Sequence, residues 1–151
     1  MPKSIRILLL EDEPNYSDVL TIGLQQEGFE AEIVEVATKK GFVDQLKTSS
    51  FDVIISDYTL PDINGMEAVQ IAVELVPYTP VVIFTGSVGE ETAIACLKAG
   101  AADYVLKQNP ARLVSSLLNA VDAARSRNEQ KNAERALKES EDRYRTLINT
   151  M

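Results

Sequence analysis

Three runs, at 5–10, 53–56 and 81–84, are nearly all apolar and rich in branched side chains. A strand of that kind has no polar face to present to water, so both of its faces must be covered. A parallel sheet between helices meets that demand, because each crossover lays a helix on the sheet. Strand-like runs begin near Ile5, Ala31, Asp52, Pro80 and Asp103, with helical patterns between them. The alternation reads as repeated strand–helix units in an α/β domain. Residues 31–36, Ala-Glu-Ile-Val-Glu-Val, partly alternate in polarity and fit an edge strand.

The helices are placed by their breakers and spacing. The first is expected from about Pro14, because proline suits the first helical position. Tyr16, Val19, Leu20, Gly23, Leu24 and Glu27 recur at three- and four-residue intervals up to Gly28. A second covers about 39–48 with Phe42, Val43 and Leu46 inward. A third follows Asn64-Gly65 with Met66, Val69, Val73 and Val76 inward, stopped by Pro77. The fourth runs from about Glu90 to Ala99, and the fifth starts at Asn109-Pro110 and buries Leu113, Val114, Leu117, Leu118 and Val121.

Four of the strand-like runs deliver a chemically active residue at their carboxyl end: Asp12, Asp57, Thr85 and Lys107. In an open parallel sheet that edge is where ligands gather. Glu11 adds a third carboxylate. Such a group of acids repels itself, and it either protonates or takes a cation such as Mg²⁺, which accepts one or two carboxylates plus waters and phosphate oxygens. Each residue alone has a plainer reading. Asp57 can cap a loop, Glu11-Asp12-Glu13-Pro14 can be an acidic helix start, Thr85-Gly86-Ser87 an ordinary turn and Lys107 a surface ion pair. The set in register points instead to a divalent cation and a phosphoryl group held together.

Composition narrows the chemistry further. The chain contains no histidine, which excludes a Ser-His-Asp hydrolase, a Cys-His protease, a histidine-ligated zinc site and a phosphohistidine donor within these residues. Its one cysteine, Cys96, cannot form an internal disulfide and sits among apolar neighbours, as a packing residue in a reducing compartment would. No apolar stretch reaches the roughly 18 residues of a membrane span, and a cytoplasmic protein is expected. Residues 1–124 carry 8 basic and 18 acidic side chains, whereas 125–151 carry 7 basic and 5 acidic. The acidic part is a poor surface for nucleic acid, and no helix-turn-helix is seen.

In order and spacing, Glu11-Asp12, Asp57, Pro61-Asp62-Ile63-Asn64-Gly65-Met66, Thr85-Gly86, Gly100-Ala101-Ala102-Asp103-Tyr104 and Lys107 resemble the receiver domain of two-component response regulators. The resemblance covers about residues 4–125 and implies a doubly wound, five-stranded parallel sheet of flavodoxin-like order 2-1-3-4-5. It implies that Asp57 accepts a phosphoryl group from a phosphohistidine on a histidine kinase or phosphotransfer protein. Glu11, Asp12, Asp57 and the backbone carbonyl of Thr59 would bind Mg²⁺, and Thr85 and Lys107 would contact the phosphoryl oxygens. Tyr104 is similar to the family's aromatic switch residue, turning inward as Thr85 moves toward the phosphate. Taken by itself, Tyr104 reads as a half-buried strand residue with its hydroxyl in water. The family pattern often has proline after the lysine, with a cis peptide. Gln108 stands there in this chain, and a cis bond before it would cost about 3 kcal/mol, so a differently shaped loop is expected.

After about Arg125 the composition turns polar and helix-forming, giving a receiver domain over 1–125 and a linker helix over 126–151. Glu134–Lys138, Glu139–Arg143 and Glu141–Arg145 are i,i+4 pairs in the favourable order, together worth on the order of 1 kcal/mol. Ala133, Leu137, Tyr144, Leu147, Ile148 and Met151 form an apolar stripe, read as a surface for a homodimer through the 110–148 helix or for a following domain. Residues 134–148 resemble the opening helix of a PAS domain. Two other classes were weighed against the receiver reading. A Mg²⁺-dependent aspartyl phosphatase would place a second aspartate at position 59, where threonine stands; the other alternative is a receiver-like binding module that is never phosphorylated.

Overall fold

Five parallel strands lie in the order β2-β1-β3-β4-β5 in the computed structural model, which describes residues 3–86 and 89–149. Along the chain they are β1 (Lys3–Leu10), β2 (Phe29–Val36), β3 (Val53–Ser56), β4 (Val81–Thr85) and β5 (Asp103–Leu106). Between and after them run α1 (Tyr16–Gln26), α2 (Lys39–Thr48), α3 (Gly65–Leu75), α4 (Glu90–Ala99) and α5 (Pro110–Asn149). The architecture is the doubly wound five-stranded sheet of order 2-1-3-4-5, with a C-terminal helix. Every residue of β3 and β4 is buried, and β2 at the edge mixes half-buried and exposed positions. Ser87 and Met151, which belonged to the expected turn and apolar stripe, lie outside the described residues.

The sheet separates two cores. On one face, α1 and α5 pack Leu20, Leu24, Leu113, Leu117 and Val121 against Ile5, Ile7, Leu9, Val53, Ile55 and Phe84. On the other, α2, α3 and α4 pack Phe42, Leu46, Val69, Ala72 and Cys96 against Leu8, Leu10, Ile54, Val81 and Ile83. Adjacent residues of one strand therefore feed opposite cores, as a period of two requires.

Local chemistry sets most of the helix ends. Thr38 accepts the Gly41 N–H at 3.1 Å and caps α2, and Asn64 accepts the Glu67 N–H at 2.8 Å and caps α3. α1 differs from expectation, starting at Tyr16 because Pro14 lies in a turn and Asn15 adopts a left-handed conformation, φ 82°. Its inward face also differs: Leu20 and Leu24 are buried but Val19 is exposed. In α3 the expected Val69 is buried and Met66 and Val76 pack against the core, joined by the buried Gly65, Ala68 and Ala72, while Val73 is 47% exposed. Small residues let α3 lie close to the sheet. α5 continues without a break across position 125, but its burial ends at Ala124. The three expected i,i+4 pairs are not closed as ion pairs among the described residues. Arg143 Nε instead donates to the Glu139 carbonyl at 3.5 Å. Leu137, Tyr144, Leu147 and Ile148 are exposed along that extension.

Gly65 is where the α3 approach is tightest. Its N–H donates to the Tyr58 carbonyl at 2.7 Å, and a Cβ there would lie 2.9 Å from Tyr58 Cδ2 and 3.1 Å from Tyr58 Cα. In an open helix Gly→Ala gains about 1 kcal/mol; here overpacking against backbone, about 1–3 kcal/mol, outweighs that gain. Gly65→Ala is therefore expected to lower stability, read as a lower urea midpoint with an unchanged slope.

Candidate functional site

Strand register builds the site. Leu10 of β1 lies opposite Ser56 of β3, so the next residues, Glu11 and Asp57, emerge side by side at the carboxyl edge. Their backbones are fixed there: Asp57 N–H donates to Leu10 O at 2.9 Å and Glu11 N–H to Val36 O at 3.0 Å. β1 and β3 pass their chains to helices on opposite faces of the sheet, which opens the crevice expected at such a switch point. On the far side of β3, Thr85 of β4 pairs with Leu106 of β5, and the Lys107 N–H donates to the Thr85 carbonyl at 2.8 Å.

Lys107 reaches back across that edge into the acids. Its Nζ lies 2.9 Å from Glu11 Oε2, 3.1 Å from Asp57 Oδ2 and 3.3 Å from Glu13 Oε1. The second oxygen of each buried acid is held by backbone. Glu11 Oε1 accepts the N–H groups of Asp12 and Glu13 at 3.1 Å each, and Asp57 Oδ1 accepts the Tyr58 N–H at 2.7 Å. Glu11, Asp12 and Asp57 each place a carboxylate oxygen within 4.8 Å of the others. Glu11 and Asp57 are buried and Asp12 is exposed, so the cluster opens to solvent through Asp12.

The electrostatics are those of too many anions for one cation. Burial, with the charge of Asp57 adding to it, raises the Glu11 carboxyl above its ordinary range, against the lowering contacts of Lys107 and the Glu13 N–H. Burial pushes Lys107 down, but its contacts to Glu11 and Asp57 outweigh that and hold the ammonium above the usual lysine range. The Lys107 shift expresses the negative charge around it, whereas that of Glu11 comes chiefly from burial. Hard oxygen donors, one of them open to water, suit a divalent cation that keeps part of its water shell. The residues present therefore fit Mg²⁺.

The other expected residues are placed as follows. Thr59 is exposed and forms an isolated antiparallel bridge with Asn64. That bridge is closed by Gly65 N–H on Tyr58 O and Leu60 N–H on Ile63 O, so it does not use the Thr59 carbonyl. Thr85 is buried, and strand alternation puts its side chain on the same face as Ile83, the register partner of Tyr104. Tyr104 packs inward on the α3–α4 side, and its hydroxyl is buried without a hydrogen-bond partner, so it does not lie in water. Burial above all, with Cys96, Tyr58 and Asp57 nearby, pushes that hydroxyl up to about 12.

Three contacts were not foreseen from the sequence. Glu13 joins the acids around Lys107, and the Tyr16 ring faces the ammonium with its centroid 4.7 Å away. Gln108 Nε2 donates to the Gly86 carbonyl at 3.0 Å, and every described peptide bond is trans. An aromatic side chain soon after an acidic pair was the available signal for Tyr16. Nothing local marked Gln108 as a tie to Gly86.

The response regulator receiver domain family model matches residues 7–118. The chain belongs to that family. The transcriptional regulatory protein CreB of Escherichia coli (strain K12) is 38% identical over 101 residues, covering 67% of this chain and 43% of the relative. The photosynthetic apparatus regulatory protein RegA of Rhodobacter capsulatus is 32% identical over 112 residues, covering 74% and 60%. The chain thus spans about half the length of the curated relatives it matches. Among solved structures, a CheY-like response regulator receiver domain protein from Methanospirillum hungatei JF-1 superposes with TM-score 0.70 at 29% identity. That match covers 84% of this chain and 99% of the other. The signal receiver domain of a Luxo repressor protein from Vibrio parahaemolyticus gives 0.73 at 25% identity, covering 83% and 95%. No described helix is long and apolar enough to cross a membrane.

The unpartnered Tyr104 hydroxyl gives a direct test of its surroundings. A buried hydroxyl with no partner costs about 1–3 kcal/mol, while the ring itself is well packed. Tyr104→Phe is expected to leave the fold intact and raise its stability by about 1 kcal/mol, read as a higher midpoint in urea.

Proposed function

We propose that this receiver domain is a phosphoacceptor, taking a phosphoryl group onto Asp57 from a phosphohistidine on a histidine kinase or phosphotransfer protein and passing the change to whatever follows α5. The observation that carries this reading is Lys107 Nζ lodged between Glu11 and Asp57, within one group of three carboxylates at the carboxyl edge of the sheet. In the transfer, an Asp57 oxygen attacks phosphorus, and the phosphorus–nitrogen bond of the donor breaks as the new phosphorus–oxygen bond forms. The leaving imidazole keeps the electron pair of that bond and then takes up a proton.

Glu11, Asp12, Asp57 and the Thr59 carbonyl would hold Mg²⁺. When bound, the ion neutralises charge on the phosphoryl oxygens. Lys107 supplies a second positive charge to those oxygens without leaving Asp57, and the buried Thr85 hydroxyl offers a hydrogen bond. Thr85 and Tyr104 share one face, so a Thr85 shift toward the phosphoryl group changes the space around the Tyr104 ring. The penalty on the Tyr104 hydroxyl keeps its inward position from being overwhelmingly favoured, and a local event can then shift the balance. Asp57 is the reaction site and Tyr104 the switch. The domain, over 1–125, is a signalling module whose only chemistry is its own phosphorylation and dephosphorylation. The exposed 126–149 extension is the output connection, and its apolar residues suit a homodimer through the 110–148 helix.

Incubation with a small acyl phosphate and Mg²⁺ should add one phosphoryl group to the wild type, seen by intact mass, and none to Asp57→Asn. An unmodified wild type under conditions that phosphorylate a known receiver domain would reject the reading. Metal dependence has its own readout. Mg²⁺ is expected to raise the thermal midpoint of the unphosphorylated wild type by about 2–4 °C, the shift given by roughly 1 kcal/mol of linked binding. In Asp12→Asn that rise should be largely lost.

A further inference from the structure

The charges around Lys107 attract its ammonium but do not fix its direction. A lysine head is a compact charge on a four-carbon stem, with three rotatable donors and no planar geometry to enforce. Glu13, one of its three carboxylate neighbours, is itself 57% exposed at the side chain. The orienting contact comes from α1. Tyr16 is the first residue of that helix, and its ring meets the Lys107 ammonium at 4.7 Å from the centroid. The same ring meets Phe84 edge-on, with centroids 5.2 Å apart and planes at 89°. Phe84 is almost fully buried and directly precedes Thr85. The ring is therefore held by the core through one contact while another contact takes the ammonium.

A ring face carries partial negative charge without a hydrogen-bond acceptor. It draws a cation toward it and yet does not compete with carboxylate or phosphoryl oxygens for the ammonium protons. An aliphatic side chain of similar volume would fill the space against Phe84 but lack that attraction. We infer that Tyr16 is a positioning residue for phosphoryl transfer at Asp57, its ring holding the Lys107 ammonium beside Asp57 as the lysine exchanges carboxylate partners for phosphoryl oxygens. This inference rests on the phosphoacceptor reading. It requires the ring and does not require the Tyr16 hydroxyl.

The test follows phosphorylation of the full chain by a small acyl phosphate with Mg²⁺, using intact mass against time. Tyr16→Phe keeps the ring and is expected within about twofold of the wild-type rate. Tyr16→Leu is expected to be slower by about three- to tenfold, the range of a lost cation–π contact in the transition state, with Mg²⁺ affinity unchanged. A second substitution guards against misfolding. Pentafluorophenylalanine at position 16 keeps the shape but reverses the charge of the ring face, and it should slow the reaction as leucine does. Ring-current displacement of the Lys107 ε-methylene signals by NMR should appear in wild type and Tyr16→Phe and vanish in Tyr16→Leu. A leucine or fluorinated variant phosphorylated as fast as a competent wild type overturns this inference alone. So does a Tyr16→Phe rate as low as that of leucine. A wild type that accepts no phosphoryl group overturns both the phosphoacceptor reading and this one.

Discussion

The Lys107 ammonium, shared between Glu11 and Asp57, is the interaction on which the carboxyl edge of this protein depends. Two unit charges about 5 Å apart repel by roughly 3 kcal/mol at an effective dielectric of 20. Three carboxylates with oxygens inside 4.8 Å of one another are therefore a substantial cost of folding. One lysine offsets part of it, and the backbone N–H groups of Asp12, Glu13 and Tyr58 offset more. What remains is a negative excess at a place open to water through Asp12. A protein selected for stability alone would not keep that arrangement.

The crowding follows from topology. The side-by-side acids arise because β1 and β3 are neighbours in the sheet although a strand and two helices separate them in sequence. The lysine can reach them because the backbone bond from Lys107 N–H to Thr85 O seats it at the end of β5. Its side chain then spans back toward β3 and β1. β1 thus contributes two acids from its end and β3 and β5 one group each, and the sheet supplies the registration that no single segment could.

That arrangement was readable in the sequence to the extent that it depended on pattern. The apolar runs of β1, β3 and β4 announced strands covered on both faces, and Asn64 announced a helix start that it does cap, whereas the Thr38 cap of α2 was not read from the sequence. On α3 only Val73 was misplaced, because branched residues were weighted above small ones; Val69 is buried and Met66 and Val76 pack on the core, and Gly65, Ala68 and Ala72 allow the close approach to the sheet. The start of α1 was misread because proline at the first helical position is a preference, and the left-handed Asn15 moved the helix two residues on. Tyr16 carried only its place on the inward face and its closeness to the acidic pair. Its contact with Lys107 joins residues about ninety positions apart, and only the folded strand order brings them together.

β5, which ends at this edge, is tied by side-chain contacts to α5. Arg112 donates to the Tyr104 carbonyl at 2.9 Å and pairs with Asp103 at 3.3 Å, while Ser116 Oγ donates to Asp103 Oδ2 at 2.5 Å. Both residues of the first half of β5 are thereby tied to the first two turns of α5. Further along, Arg125 pairs with Asp52 at 3.3 Å and Lys131 lies over the Tyr78 ring at 5.4 Å, so the helix is gripped again near where its burial ends. The helix has 40 residues without a break, a length of about 60 Å at 1.5 Å per residue. Some 25 of those residues, about 37 Å, project beyond the last buried turn. A rod of that length converts a tilt of about 5° at its root into a displacement of about 3 Å at its tip. A change of tilt at the root of α5 therefore need not be large to displace its far end, provided that the helix stays continuous. The absence of glycine and proline after Pro110 keeps it so.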